Sequence, residues 1–308
     1  MGQINRETFV KLLDKNLTDV SAESSKFMEM KSMISVLFRE ISSNRPYEEF
    51  FTYGGVPDIP AFNGHLTTLN MHPGYSSKVE PKEYAGQLQY GRKLLDDQSF
   101  LTLQDGSRGL MESAWRVADK KAVSIFANAS STAFDYLTSE EGVALASSSH
   151  TTRYPGVSTT DGFSNSGSTP LSKTAVAATK ILMHKFKQSN GERYETGDEY
   201  SLIVPDALAD TAYEIFNTSK EVDSANNNAN PYYKRYNIIP YMRLDDYTTT
   251  SWGLVDTKRM KQDLLWIWRI KPEAKREIDW STYATMQAVY TRFGCGFKDW
   301  RWLYWHTV

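Results

Sequence analysis

Only one of the 308 residues is cysteine, Cys295, so the chain can build neither a disulfide framework nor a thiolate metal cluster. No apolar run approaches the ~20 residues needed to span a bilayer. The opening MGQINRETFV lacks the apolar centre of a signal peptide. Neither sign of charge is in excess: 35 Lys and Arg stand against 37 Asp and Glu, a net charge of −2, which gives no overall nucleic-acid signature. These absences lead to the expectation of a soluble cytoplasmic product with no membrane partner, long enough for one or two domains.

Aromatic residues are abundant. They make up 13% of the chain, with eight Trp, and they crowd into DWRWLYWHTV at residues 299–308. Such ends are usually polar and frayed, so these rings must be buried on the chain's own core or on a partner. On a strand, Trp300, Trp302 and Tyr304 would share one face, and Arg301, Leu303 and Trp305 the other. Each large ring buries about 150–250 Å², so both faces of this segment need cover.

Periodicity orders the rest. Two short helices are predicted near the start. One lies in NRETFVKLLDKNL with Asn5 as cap, and the other in KFMEMKSMISVLFREI with Phe27, Met30, Ile34, Leu37 and Ile41 as its stripe. Residues 53–74 hold four glycines and three prolines and fit no helix, yet Phe62, Leu66, Leu69 and Met71 make this loop too apolar for a solvated linker. YSSKVE and EYAGQLQYGR beside it read as strands. A long helix of about 30–35 Å follows, capped by Ser107, with Met111, Trp115, Ala118, Ala122, Ile125 and Ala129 on one face.

Residues 147–173 are polar and read as loop, followed by a helix capped by Ser172. YSLIVPDALADTAYEIFN reads as a buried strand running into a helix, and a strand is expected near residues 238–242. SWGLVDT, DLLWIWRIKP and TYATMQAVYTRFG supply three more strands. In the last, Ala284, Met286, Ala288 and Tyr290 share a face. The class is α+β.

The ordered set of EPKEYAGQLQYGRKLLDDQ, RGLMESAWRVADKKAVSIFANA with SSTAFD, the SSSHTT to SNSGSTPLSKTA passage and SLIVPDALADTAYEIFN with NNNANPYY resembles the major capsid protein of tailed bacteriophages. The likeness is to the Mu-like major head subunit with the Hong Kong phage capsid fold, and it covers roughly residues 45–308. It implies a structural subunit, not an enzyme, that self-assembles as hexamers and pentamers into an icosahedral shell.

By that resemblance, residues 1–46 form an N-terminal arm and 47–92 an extended loop with flanking strands. Residues 93–139 and 255–308 form a peripheral domain on a spine helix, and 140–254 an axial domain, with the last strand's reaching the axial domain as the alternative. Scaffolding and portal proteins, nonspecific contact with packaged double-stranded DNA, assembly in the host bacterial cytoplasm and residence in the virion capsid are implied with it. On this reading Phe62, Leu66, Leu69 and Met71 meet a neighbouring subunit, and a neighbour covers the Trp305 face of the last strand. No motif supports covalent cross-linking.

Other functions find less support. Ser149, His150 and Asp161 are close in sequence, but a triad is defined by geometry and no GxSxG elbow is present. His150 reads as a residue of a solvated loop bonded to backbone. His65 and His72 lack the spacing and carboxylates of a metal site, and GFSNSG lacks the lysine and helix of a phosphate-binding loop. No catalytic, cofactor or metal residues are therefore expected. Residues 258–308 carry ten Lys or Arg against five Asp or Glu, with six Trp interleaved. That mixture can bind single strands by stacking, but the alternation places most of the rings in strands facing a core. An encapsulin-like compartment holding a cargo enzyme would use the same subunit architecture.

Overall fold

The computed structural model describes residues 6–91, 93, 100–195, 197, 199–220, 229–279, 281 and 284–308. Its scaffold is helix α3, Phe100–Ala127, built where apolar residues recur at three- and four-residue spacing. Met111, Trp115, Ala118, Ala122, Val123 and Phe126 are buried along it, while Ile125 is only half-buried. Ser107 lies inside the helix and does not cap it, because the helix starts seven residues earlier. Its hydroxyl is buried and donates to Gln287 Oε1 at 2.6 Å.

The start of the chain differs from expectation. Helix α1, Arg6–Lys31, merges the first predicted helix with the beginning of the second. It stops before Ser32; a single turn, α2 (Ile34–Leu37), follows, and then strand β1, Arg39–Ser42. The helical spacing is kept through Leu37 and overridden from Arg39 on by tertiary pairing, since β1 runs parallel to a later strand. Asn5, the expected cap, lies outside the described residues. α1 packs along α3 through hydroxyls: Ser21 and Ser24 are buried, and Trp115 Nε1 donates to Ser25 Oγ at 3.0 Å.

A four-stranded sheet is ordered β1, β10 (Leu264–Ile278), β11 (Thr285–Phe297), β4 (Lys82–Tyr90). In β10, residues 264–268 are buried on both faces: Trp266 stacks on Phe293 at 4.9 Å and Trp268 meets Trp115 edge-on at 5.5 Å. In β11 the fully buried face is Thr285, Gln287, Val289, Thr291 and Phe293, so Met286, Ala288 and Tyr290 occupy the half-buried one. The smaller sheet is β2 (Glu48–Gly54), β3 (His72–Val79) and β5 (Leu137–Ser139).

The third sheet is ordered β6 (Ser166–Gly167), β12 (Leu303–His306), β9 (Trp252–Asp256), β7 (Tyr200–Val204), β8 (Asn237–Pro240). β6 interrupts a stretch expected to be all loop. Helix α4, Lys173–Met183, is capped as expected, with Ser172 Oγ accepting from Ala175 N–H at 3.1 Å. Helix α5, Ala209–Asn217, forms the crossover between the parallel strands β7 and β8. After β8 the chain turns into a 3-10 segment, Met242–Asp246, where continued strand was expected. A short helix, α6 (Thr257–Asp263), joins β9 to β10 and is capped by Asp256, whose carboxylate accepts from Arg259 N–H.

One ring joins these parts. Phe126 meets Phe38, Tyr241, Trp302 and Trp305, with ring centroids 6.0–6.5 Å apart.

Candidate functional site

The β2–β3 ribbon carries residues 55–71 at its end. These residues form no regular secondary structure. Along β2 the outward face is apolar, with Phe51 and Tyr53 exposed. In the loop Ile59 is 86% exposed, Phe62 76% and Leu66 93%; Met71 is also exposed, and Leu69 is half-buried. Phe51, Tyr53 and Ile59 were not singled out from sequence, although the alternation in EEFFTYGG places Phe51 and Tyr53 on one face.

The root of the ribbon is anchored while its tip is not. Thr52 Oγ1 donates to Tyr75 O at 2.7 Å, Tyr75 Oη is 2.8 Å from Thr151 Oγ1, and Asn190 Nδ2 donates to Val56 O at 3.3 Å. His72 packs edge-on against Tyr154 at 4.6 Å, and His65 is exposed in the loop. Among the described residues no group of three His, Cys, Asp or Glu could hold a metal ion, and no helix is long and apolar enough to cross a membrane.

The aromatic segment at 299–308 is different. Residues 299–302 form a turn, and only Leu303–His306 is strand. Residues 300–306 are all buried within the single subunit, Trp305 at 2% exposure. Trp305 pairs with Gly253 across β12–β9 and its ring lies directly over that glycine, where any side chain would collide with it. Both faces of the segment are therefore covered by the chain itself, and the expectation that a neighbour covers the Trp305 face is corrected. Phe126 on α3 supplies the cover, which sequence spacing alone could not place.

The Ser149, His150 and Asp161 grouping does not form a triad. Ser149 is exposed and its hydroxyl lies near Ser147 Oγ. His150 is 1% exposed, against the expectation of a solvated loop residue. Its Nδ1 lies 3.1 Å from Glu141 Oε1 and its Nε2 3.1 Å from Asn165 Oδ1, so its ring bonds side chains; its backbone N–H donates to Phe163 O. Asn165 in turn accepts from Ser147 N–H and donates to Leu145 O and Leu303 O. The cluster is a structural knot between residues 141–165 and the terminal segment, with both of its ring nitrogens occupied.

The loop thus offers an uncovered apolar surface on a firm base, and His150, the buried member of the grouping that suggested chemistry, is committed to structure. The phage capsid protein family model matches residues 74–306. No curated protein matches the sequence. The fold is similar to that of Mycobacterium phage Patience (TM-score 0.58, 11% identity, 94% of this chain and 86% of that one). It is also similar to the capsid of Ralstonia phage GP4 (0.55, 11%, 85% and 83%) and to a virus-like particle from Pyrococcus furiosus (0.50, 8%, 94% and 98%). An α+β chain that carries this fold and matches that family over three-quarters of its length belongs to the phage capsid protein family, and it is a structural subunit of a phage head shell.

Proposed function

We propose that copies of this subunit form hexamers and pentamers that close into an icosahedral head around a tailed phage genome, with residues 55–71 of each copy laid across its neighbour. The observation that carries this reading is the exposure of Ile59, Phe62 and Leu66 on a loop rooted firmly at its base. Burying a large apolar side chain stabilises by about 1.5–3 kcal/mol, so association that covers these three has a substantial driving force. Leu69 and Met71 extend the same surface towards β3. Covering this surface in a second copy also removes the aggregation hazard of an open apolar patch.

On this reading residues 1–46 are the arm, 93–139 and the chain from 255 through β10 and β11 the peripheral part, and 140–254 the axial part, whose sheet also takes in β12 from residues 303–306. A scaffolding protein and a portal assist assembly in the host bacterial cytoplasm, and the near-neutral charge suits weak, nonspecific contact with packaged double-stranded DNA. The likeness to the Pyrococcus furiosus particle keeps one second reading, an encapsulin-like compartment. The content of particles purified from the producing cell separates the two: nucleic acid supports the head, and an enclosed enzyme supports the compartment.

Electron microscopy of the purified protein, alone and with a scaffold candidate encoded beside it, tests the central claim. Rings or closed shells are expected. A monomer under both conditions overturns it. Replacing residues 58–71 by a Gly-Ser linker should leave a folded subunit that builds no shells; normal shells from that variant would remove the loop from the interface.

A further inference from the structure

We infer that neighbouring copies meet through opposite edges of the β6-β12-β9-β7-β8 sheet, a basic groove at the β6 edge receiving the acidic face of α5 at the β8 edge of the next copy. The inference rests on the shell reading above and adds the pair of surfaces that join copies within a ring.

The groove has a volume of about 530 Å³ and lies beside β6 and β12. Buried Tyr304 contributes to its lining, and the ring's hydroxyl is tied down by donation to Ser166 O at 3.0 Å. Leu182, partly exposed at the end of α4, gives it an apolar wall. Lys185, Lys187 and Arg193 bring three positive charges, and Asp161 is the single acid in the lining. Among the described residues no ion pair engages these three cations; Arg193 Nε donates to the His184 carbonyl.

The complementary surface is at the other edge of the same sheet. α5 buries Ala209, Ala212 and Phe216. Its opposite side exposes Asp210 and Glu214, four residues apart, and Asp206 one turn earlier continues the same stripe. Exposed Tyr213 lies next to it. No cation is interleaved from residue 201 to residue 219, and none of the three carboxylates has an ion pair among the described residues. A domain with three unpaired cations at one edge and three unpaired carboxylates at the other is self-complementary in a head-to-tail sense. Contacts of that kind close into rings when the rotation between copies permits. The aromatic and aliphatic side chains beside the charges, Tyr213 on one copy and Leu182 on the next, would supply the desolvated centre of the contact.

Two double reversals in the full chain test this pairing: Lys185→Glu with Lys187→Glu, and Asp210→Lys with Glu214→Lys. Lys185, Asp210 and Glu214 are exposed and Lys187 is half-buried beside Gly162, so each variant should stay folded, yet form no rings or shells by sedimentation and electron microscopy. Mixed in equal amounts, the two variants should recover rings with an even number of copies, because the reversed groove of one then faces the reversed helix of the other. Five-membered rings cannot alternate and should stay absent. Wild-type assembly should also need a higher protein concentration as salt is raised, since exposed charges are screened. Assembly of either folded variant alone at the wild-type level overturns the pairing, as does a mixture that stays unassembled or a wild type insensitive to salt. If a reversal fails to fold, the milder Lys185→Gln with Lys187→Gln should raise the assembly concentration, and no change would overturn the proposal. A wild type that never assembles defeats the shell reading first, and the pairing with it.

Discussion

His150 lies flat against Trp300, with ring centroids 4.1 Å apart and planes 5° from parallel. Phe186 meets the same indole edge-on at 5.1 Å. The stack ties a polar loop to the aromatic turn that precedes β12, and it makes His150 a stability residue. His150→Ala should destabilise the subunit by about 2–4 kcal/mol, combining the lost stack with partners left unsatisfied in a buried site. Ser149→Ala, one residue away on the surface, should stay within about ±0.5 kcal/mol. Urea denaturation of the two variants checks this, and equal midpoints would sink it.

Trp305→Ala should unfold the subunit rather than spare it for an assembly defect. Truncating a buried Trp costs about 3–5 kcal/mol. Gly253→Ala should act in the same direction, because the added methyl meets the Trp305 ring. The measurement is the melting temperature of unassembled subunits. A Trp305→Ala protein with the wild-type melting temperature would contradict the packing described above.

Two groups, buried His306 and half-buried Asp263, should oppose each other in the pH dependence of stability. Burial holds the His306 imidazole down to about 4. In the structure its Nε2 lies 2.8 Å from Thr179 Oγ1, and its Nδ1 accepts from Thr169 N–H at 3.2 Å. The unfolded chain takes up this proton near pH ~6.5, so the stabilisation from His306 is complete above that value and is lost as pH falls towards 4.

Asp263 runs the other way. Burial, with the nearby Asp299 adding to it, pushes its carboxyl up to about 7. Its favourable contribution is complete below the ordinary carboxylate value of ~4 and is lost as pH rises through 7. His306→Gln should therefore remove the loss on the acid side, and Asp263→Asn should remove the fall towards neutral pH. Urea midpoints measured across this range supply the slopes. Variant profiles parallel to the wild type would refute both assignments.

Ser32 should hold the end of α1 in place. Its hydroxyl donates to Asp119 Oδ1 at 2.6 Å and accepts from Ile34 N–H at 3.2 Å, so one side chain joins the arm, α2 and α3. Burial raises the Asp119 carboxyl above the usual range, with the Ser32 bond acting against that rise. Ser32→Ala should cost about 1–3 kcal/mol and speed hydrogen exchange in α1 more than in α3. Uniform acceleration in both helices would argue against a local latch.

Much of this architecture is legible in the chain because it rests on period. Met111, Trp115, Ala118 and Ala122 mark the long helix, and Trp266 with Trp268 marks a strand whose two faces are both covered. Where period misleads, a contact distant in sequence has decided the outcome. Residues 39–42 fit a helix, yet Arg39 pairs with Leu265 and Ser42 with Trp268 in a parallel ladder. α6 is seven residues long, too short for a periodic signal, and its cap Asp256 is also the last residue of a strand. His150 could not be placed from sequence because its surroundings come from Glu141, Asn165 and Trp300. The loop surface was visible through Phe62 and Leu66, since apolar residues among glycines and prolines have no local core to join. The charged sheet edges were not, because opposite ends of a sheet become neighbours only between two copies.

Phe126 gives the subunit a mechanical property. The four-stranded sheet and the β6-to-β8 sheet share no strand, but both lean on this one ring, the first through Phe38 and its contact with Trp266, the second through Trp302 and Trp305. Close-packed rings have low compressibility and pass strain on with little yielding. Outward pressure on either sheet would be borne at this joint by compression of edge-to-face and tilted aromatic contacts, while the α3 backbone carries the bending. Phe126→Leu, which keeps much of the buried volume and so costs less than truncation to Ala, would leave a folded but softer wall element, and the difference would be read by indenting whole particles with an atomic-force tip.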